Sequence, residues 1–233
     1  MNIQSVSTVL ARWVSRIPVT MSIGIAALVI ACFPSAGNVL QFDRQAILAG
    51  EIWRLATGHL SHWGGDHIQW DLLMFVVLGS ACEIRDPRRM YACLFAAAAS
   101  VSVLVLGAFP EIAAYRGLSG VDTALFTLLA VGLLRDGRRQ QCGYTVLVTG
   151  GLLLGFIAKT TFEAITGHAF FVDQQTAGFE LLVWDHIVAA VVGVWVACVA
   201  SADRSKPTTL CANGSKPTST WMGLGLFRSW IKG

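Results

Sequence analysis

The sequence predicts an all-α polytopic membrane protein, six transmembrane helices in a bundle with both termini on the cytoplasmic side. Three observations carry that expectation. The first is composition: of 233 residues, 55% are hydrophobic and only 13% charged, with a mean hydropathy of +0.61. A soluble domain carries roughly 25% charged residues, so lipid is the expected solvent. The second is a set of six long apolar runs. The third is the alternation of arginine-rich and acid-leaning loops between them. The net charge of +3 is too small to suggest a nucleic-acid partner.

Residues 1–18 form the first cytoplasmic segment, with Arg12 and Arg16 ahead of the apolar run Val19–Phe33. Small residues in "ACFPSAG" behind that run also fit a signal peptide, but five later runs favour a span. A large outer loop, 34–66, places Trp63 at the interface. Ile68–Ala81 is the second span, and Arg85, Arg88 and Arg89 separate it from the third, Met90–Phe109. Leu118–Leu134 and Tyr144–Ala158 are the fourth and fifth, divided by Arg135, Arg138 and Arg139. Val183–Ser201 is the sixth, with Trp184 at its outer end and Arg204 and Lys206 behind it. Several runs fall short of the roughly 20 residues a perpendicular helix needs.

The opposite loops carry Asp43, Glu51, Asp66, Glu111, Glu163, Asp173, Glu180 and Asp185 against few bases. Lys and Arg concentrate in cytoplasmic loops, so the expected topology in a cell (inner) membrane is N-in and C-in. The membrane domain is then 19–202, followed by a polar cytoplasmic tail, 203–233, that repeats "SKPT". Within the tail, 221–232 mixes Trp221, Leu224, Phe227 and Trp230 with Arg228 and Lys232, a pattern for a helix lying on the membrane surface. The cysteines form no CxxC pair and read as packing residues.

Polar residues inside spans are costly and mark function. With N-in topology, segments two, four and six run from outside to inside, so their first residues share one depth. His67 and Asp71 open segment two, Ser119 opens segment four and His186 opens segment six. A serine hydroxyl needs a base to become a nucleophile, and histidine is the commonest such base. Gly117 and Gly120 flank Ser119; Gly117 allows a tight entry turn. The helix N-terminus behind it offers unpaired N–H groups to a developing anion. Ala189, Ala190, Gly193 and Ala197 on segment six, facing Gly120 and Ala124 on segment four, would let the two helices approach closely. Asp122, three after Ser119, shares its face and either hydrogen-bonds near the serine and histidine or caps its own first turn, while Asp185 beside His186 reads as a solvated interfacial acid.

The loop "GHLSHWGGDH" adds His59, His62 and His67, which with Asp71 offer metal-type ligands. Their spacing is not a zinc pattern, and a hydrogen-bonded cap over the helix entrance is the plainer reading.

Trp53–Arg54, His62, His67 with a polar residue four later, Glu83, "GLSG" at Gly117–Gly120 and the late-helix His186, in that order, resemble the rhomboid intramembrane serine proteases. The resemblance implies a rhomboid-like bundle and a Ser–His dyad without a third acid, needing neither metal nor cofactor. Ser119 would be the nucleophile and His186 the general base. His67, Gly117, the Ser119 N–H and the residue at position 71 would stabilise the oxyanion or substrate. Trp53, Arg54 and His62 would support the outer loop, and Glu83 the inner end of segment two. The implied substrates are transmembrane segments of other proteins, cut near the outer face within the bilayer.

Two positions depart from the family pattern. Asp71 stands where the family usually has Asn: protonated, it would donate to the oxyanion; ionised, it would pair with His67 and orient it. The balance on sequence alone leans slightly to the neutral donor. Thr123 stands where an aromatic residue is often found. "GHLSHW" and "YRGLSG" look like the rhombosortase branch, whose members are associated with trimming C-terminal membrane anchors from exported bacterial proteins. The rival functions are a catalytically inactive rhomboid-like protein that binds clients, and a metal- or haem-binding protein using the loop histidines.

Overall fold

A computed structural model describes residues 14–170 and 182–199. The expectations for Arg12, for Asp173 and Glu180, and for the tail 203–233 with its segment 221–232 lie outside the described residues.

Helix α1 (Pro18–Cys32) starts with proline at its first position, where the missing N–H costs nothing. It supplies no side-chain cap of its own. Glu83 does so from another helix, accepting hydrogen bonds from the Val19 N–H (3.0 Å), the Thr20 N–H (2.9 Å) and the Thr20 hydroxyl (2.7 Å). A carboxylate at a helix N-terminus satisfies orphan donors and complements the dipole. Glu83 also accepts from the Tyr91 hydroxyl. After α1 the chain bends by 116° into α2 (Pro34–Leu40).

The segment after α2 then builds a small scaffold: strand β1 (Phe42–Asp43), α3 (Arg44–Leu48), α4 (Arg54–Thr57) and a 3₁₀ turn (Gly58–Leu60). Helix α5 spans Gly65–Arg85 and α6 spans Pro87–Ala108, the latter opened by Asp86, whose carboxylate accepts from the Arg89 N–H. Strand β2 (Ala114–Tyr115) pairs antiparallel with β1, Phe42 opposite Tyr115. Helices α7 (Ser119–Arg139), α8 (Gly143–Thr166) and α9 (Val183–Val199) complete the order.

Each of the six expected segments overlaps a helix over its described residues, with corrected ends, and the last two residues of the sixth, 200–201, lie outside the described residues. The largest correction is α8, which runs past the expected stop at Ala158 to Thr166. Lys159 and Glu163 form an ion pair one turn apart at 2.8 Å, so each charge carries its own partner and the helix continues. Among the described residues, α5, α6 and α8 are long and apolar enough to cross a membrane. The bent pair α1–α2 adds a fourth candidate, and α9 is a shorter apolar helix. Helix α7 is different in kind. It packs against α5, α6, α8 and α9 and buries Asp122, Thr123 and Thr127. Protein rather than lipid surrounds it, which is why it tolerates a polar sequence. The outward faces carry Phe95, Leu147, Leu154 and Ile165, each more than two-thirds exposed. At the end of the bundle remote from Ser119, Arg85 pairs with Asp136, and Arg135 reaches the Ala197 carbonyl at 2.9 Å.

The α7–α9 seam follows the small-residue expectation in part. Ala189, Gly193, Ala197 and Ala124 are buried, and the Thr127 hydroxyl donates across it to the Ala190 carbonyl (3.2 Å). A Cβ at Gly193 would overlap the Ala124 carbonyl oxygen and Thr127 Oγ1. Gly120, expected on this seam, instead faces α6, where a Cβ would stand 3.1 Å from Val101 Cγ2. Gly193→Val should therefore force the two helices apart. Overpacking of this kind costs about 1–3 kcal/mol, or roughly 2–4 °C in unfolding midpoint per kcal/mol for a chain this size. A thermal melt in detergent that leaves the midpoint unmoved would refute the close contact.

Candidate active site

The serine turn is held from three sides. The β1–β2 pair fixes Tyr115, the Gly117 N–H donates to the Gly58 carbonyl (3.3 Å), and the Leu118 N–H donates to Asp71 Oδ2 (2.8 Å). Gly117 has φ +124°, a conformation that side chains resist. A Cβ there would also lie 2.8 Å from His67 Nε2 and 3.1 Å from Asp71 Oδ2. Both requirements select glycine. Ser119 then opens α7, so the free N–H groups of its first turn surround the hydroxyl.

His67 and Asp71 lie one turn apart on α5, with His67 Nε2 at 3.2 Å from Asp71 Oδ2. His67 Nδ1 accepts from the Trp63 N–H at 3.4 Å, so the ring proton belongs on the nitrogen facing Asp71. His62 Nε2 stands 3.3 Å from the same oxygen without hydrogen-bond alignment. Asp71 is thus an acceptor, collecting a backbone N–H and one or two imidazole N–H groups. That geometry suits an ionised, orienting carboxylate better than a neutral donor.

His186 sits buried in the first turn of α9. Its Nδ1 lies 3.7 Å from Glu163 Oε2 and its Nε2 lies 3.7 Å from Asp185 Oδ1. Asp185, expected to be solvated, is only 3% exposed. Its Oδ2 accepts from the Tyr115 hydroxyl at 2.9 Å, which draws it inward. Burial, reinforced by the Asp185 carboxylate, pushes the Tyr115 phenol well above its usual range, so it stays a neutral donor. The same hydroxyl is a hydrogen-bond partner of Ser119. Asp122 is no cap: it is buried, and among the described residues neither of its oxygens has a hydrogen-bond partner.

Ser119, His186, His67, Asp71, Asp122 and Glu163 all open onto one cavity of about 920 Å³. The supporting residues lie around it. Arg54 pairs with Glu51 and donates to the Asn38 and Gln41 carbonyls, which ties α4 to the end of α2. Trp53 is half exposed and makes no such tie. His59, the remaining loop histidine, is held by the Ala98 carbonyl (3.1 Å) and Ser102 Oγ (3.0 Å). Burial pushes its pKa down, against the opposing effect of the Ala98 and Gly117 backbone and the Asp185 carboxylate. Among the described residues no three His, Cys, Asp or Glu side chains group to hold a metal.

Sequence reasoning missed four residues. Arg44 donates to the Val105, Leu106, Phe109 and Ile112 carbonyls and so caps the C-terminal end of α6. Arg116 joins Gln41, Asn38 and the His62 carbonyl and lies over the Trp63 ring at 4.4 Å. Neither has a pattern in sequence, because every partner is distant. Tyr115 had a signal in its place four residues before Ser119, and Glu163 had one in its spacing from Lys159.

Fold and cavity together define an integral membrane protein whose helices enclose a cavity lined by Ser119 and His186. The Rhomboid domain family matches residues 49–203, more than half of the chain. The chain belongs to the rhomboid family, which is generally one of intramembrane serine proteases acting on transmembrane substrates in the bilayer. Curated proteins provide no match.

Proposed function

We propose that this protein is an active intramembrane serine endopeptidase that cuts transmembrane segments near the outer membrane face. The observation that carries the proposal is that Ser119, at a helix N-terminus, and His186, from a helix far along the chain, line the same cavity. His186 takes the Ser119 proton as Oγ attacks the scissile carbonyl carbon. The resulting oxyanion is met by the Ser119 N–H and its neighbours at the start of α7 and by the His67 Nε2–H, which is then shared between Asp71 and the anion. His186 then passes the proton to the leaving amine, and water repeats the sequence to release the acyl group. Asp71 orients His67 and holds the serine turn through the Leu118 N–H.

The substrate helix must open before its carbonyl is accessible, because an intact helix keeps its backbone hydrogen-bonded in lipid. Small or helix-breaking residues are therefore expected at the cut. The proposed topology is six spans with both termini cytoplasmic, and the proposed role is trimming C-terminal anchors of exported proteins. A fluorophosphonate probe tests the reaction class: it should label wild type and not Ser119→Ala. Failure to label the folded wild-type protein would leave the client-binding alternative as the better account.

A further inference from the structure

Glu163 is 2% exposed on a helix whose other faces meet lipid. Burying a carboxylate is costly unless it is paired. Its Oε2 accepts from Lys159 Nζ at 2.8 Å and its Oε1 from the Phe170 N–H at 3.0 Å. Those two bonds fix the carboxylate in position. Oε2 then points at His186 Nδ1 from 3.7 Å, and that nitrogen is buried with no hydrogen-bond partner among the described residues. An imidazole that takes a proton on one nitrogen must already carry one on the other, and what that second nitrogen bonds sets the tautomer.

We propose that Glu163 is a positioning residue for His186, accepting the Nδ1–H and presenting bare Nε2 toward Ser119. The inference rests on the dyad reading above and adds an acid to it. The 3.7 Å separation exceeds a hydrogen bond. Such contacts are often long in substrate-free sites and tighten when substrate binds. Asp185 is the competing carboxylate. It lies at Nε2 rather than Nδ1, and Tyr115 already engages it. If Asp185 oriented the ring, the proton would sit on Nε2 instead. The two carboxylates therefore demand opposite tautomers.

The test uses the full chain in detergent and the kinetics of fluorophosphonate labelling. Glu163→Gln should lower the maximal labelling rate on the order of 10–100-fold, below the roughly 10⁴ loss for a fully engaged triad acid. The probe's half-saturating concentration should not change, and Glu163→Asp should recover part of the rate. A purely structural Glu163 would change neither rate in the folded fraction. In the wild-type protein with ¹⁵N-labelled histidine, the resonance lost in His186→Ala should show a protonated Nδ1 and a bare Nε2. This readout stands even if the Gln variant fails to fold. A Gln variant labelling within about twofold of wild type, or a protonated Nε2, overturns the proposal. Labelling that persists in Ser119→Ala or is undiminished in His186→Ala would instead overturn the dyad on which it rests.

Discussion

Ser119→Ala and His186→Ala should each abolish cleavage of a transmembrane substrate while the protein stays folded in detergent. Each single loss should be on the order of 10⁴–10⁶-fold, and the double variant should be no worse than either alone, since nucleophile and base act as one unit. The structure makes folding of these variants a fair expectation. Ser119 is only partly buried, at the cavity wall, and among the described residues His186 Nδ1 has no hydrogen bond to lose. Truncating either side chain therefore strands little. Neither residue anchors the α7–α9 seam, which rests on Gly193, Ala124 and Thr127. Cleavage rates for the two single variants and the double, with melts in parallel, decide the matter. Substantial turnover by either single variant would sink the mechanism.

Asp71→Ala should cost on the order of 10²–10³ in rate, comparable to losing one oxyanion donor, and Asp71→Asn about tenfold. Removing the carboxylate leaves the Leu118 N–H and the His67 Nε2–H buried without an acceptor. Each stranded group costs about 1–3 kcal/mol. The chain relieves that cost by shifting the Gly117–Ser119 turn and the His67 ring, the two features that meet the oxyanion. Asn keeps one acceptor oxygen at the Leu118 N–H but gives up the charge that attracts His67. A neutral Asp71 donating to the oxyanion predicts the opposite, an Asn variant at least as active as wild type. Rates of wild type, Asp71→Asn and Asp71→Ala on one substrate separate the two roles.

Much of the fold was legible because lipid imposes a one-dimensional rule. An apolar run must become a helix with its backbone satisfied within the segment, so Val19–Phe33 and Met90–Phe109 were readable with ends displaced by one to three residues. Where a charge seemed to stop a run, at Lys159, the reading failed. The partner that neutralises it lies one turn further along.

What the sequence by itself determined is the long apolar helices and the family, and it supplied the candidate site residues: Ser119 in its glycine turn, His186, and His67 with Asp71. Local chemistry demands these side chains at these spacings. What only the tertiary structure decided is their surroundings. Asp185 looked solvated until Tyr115, seventy positions earlier, drew it inside. Asp71 looked like a candidate donor, and the structure adds that its Oδ2 accepts from the Leu118 N–H. Glu163 looked like a loop acid until α8 carried it to His186. A carboxylate's role depends on which donors reach it, and in this protein those donors come from other helices and from the outer loop.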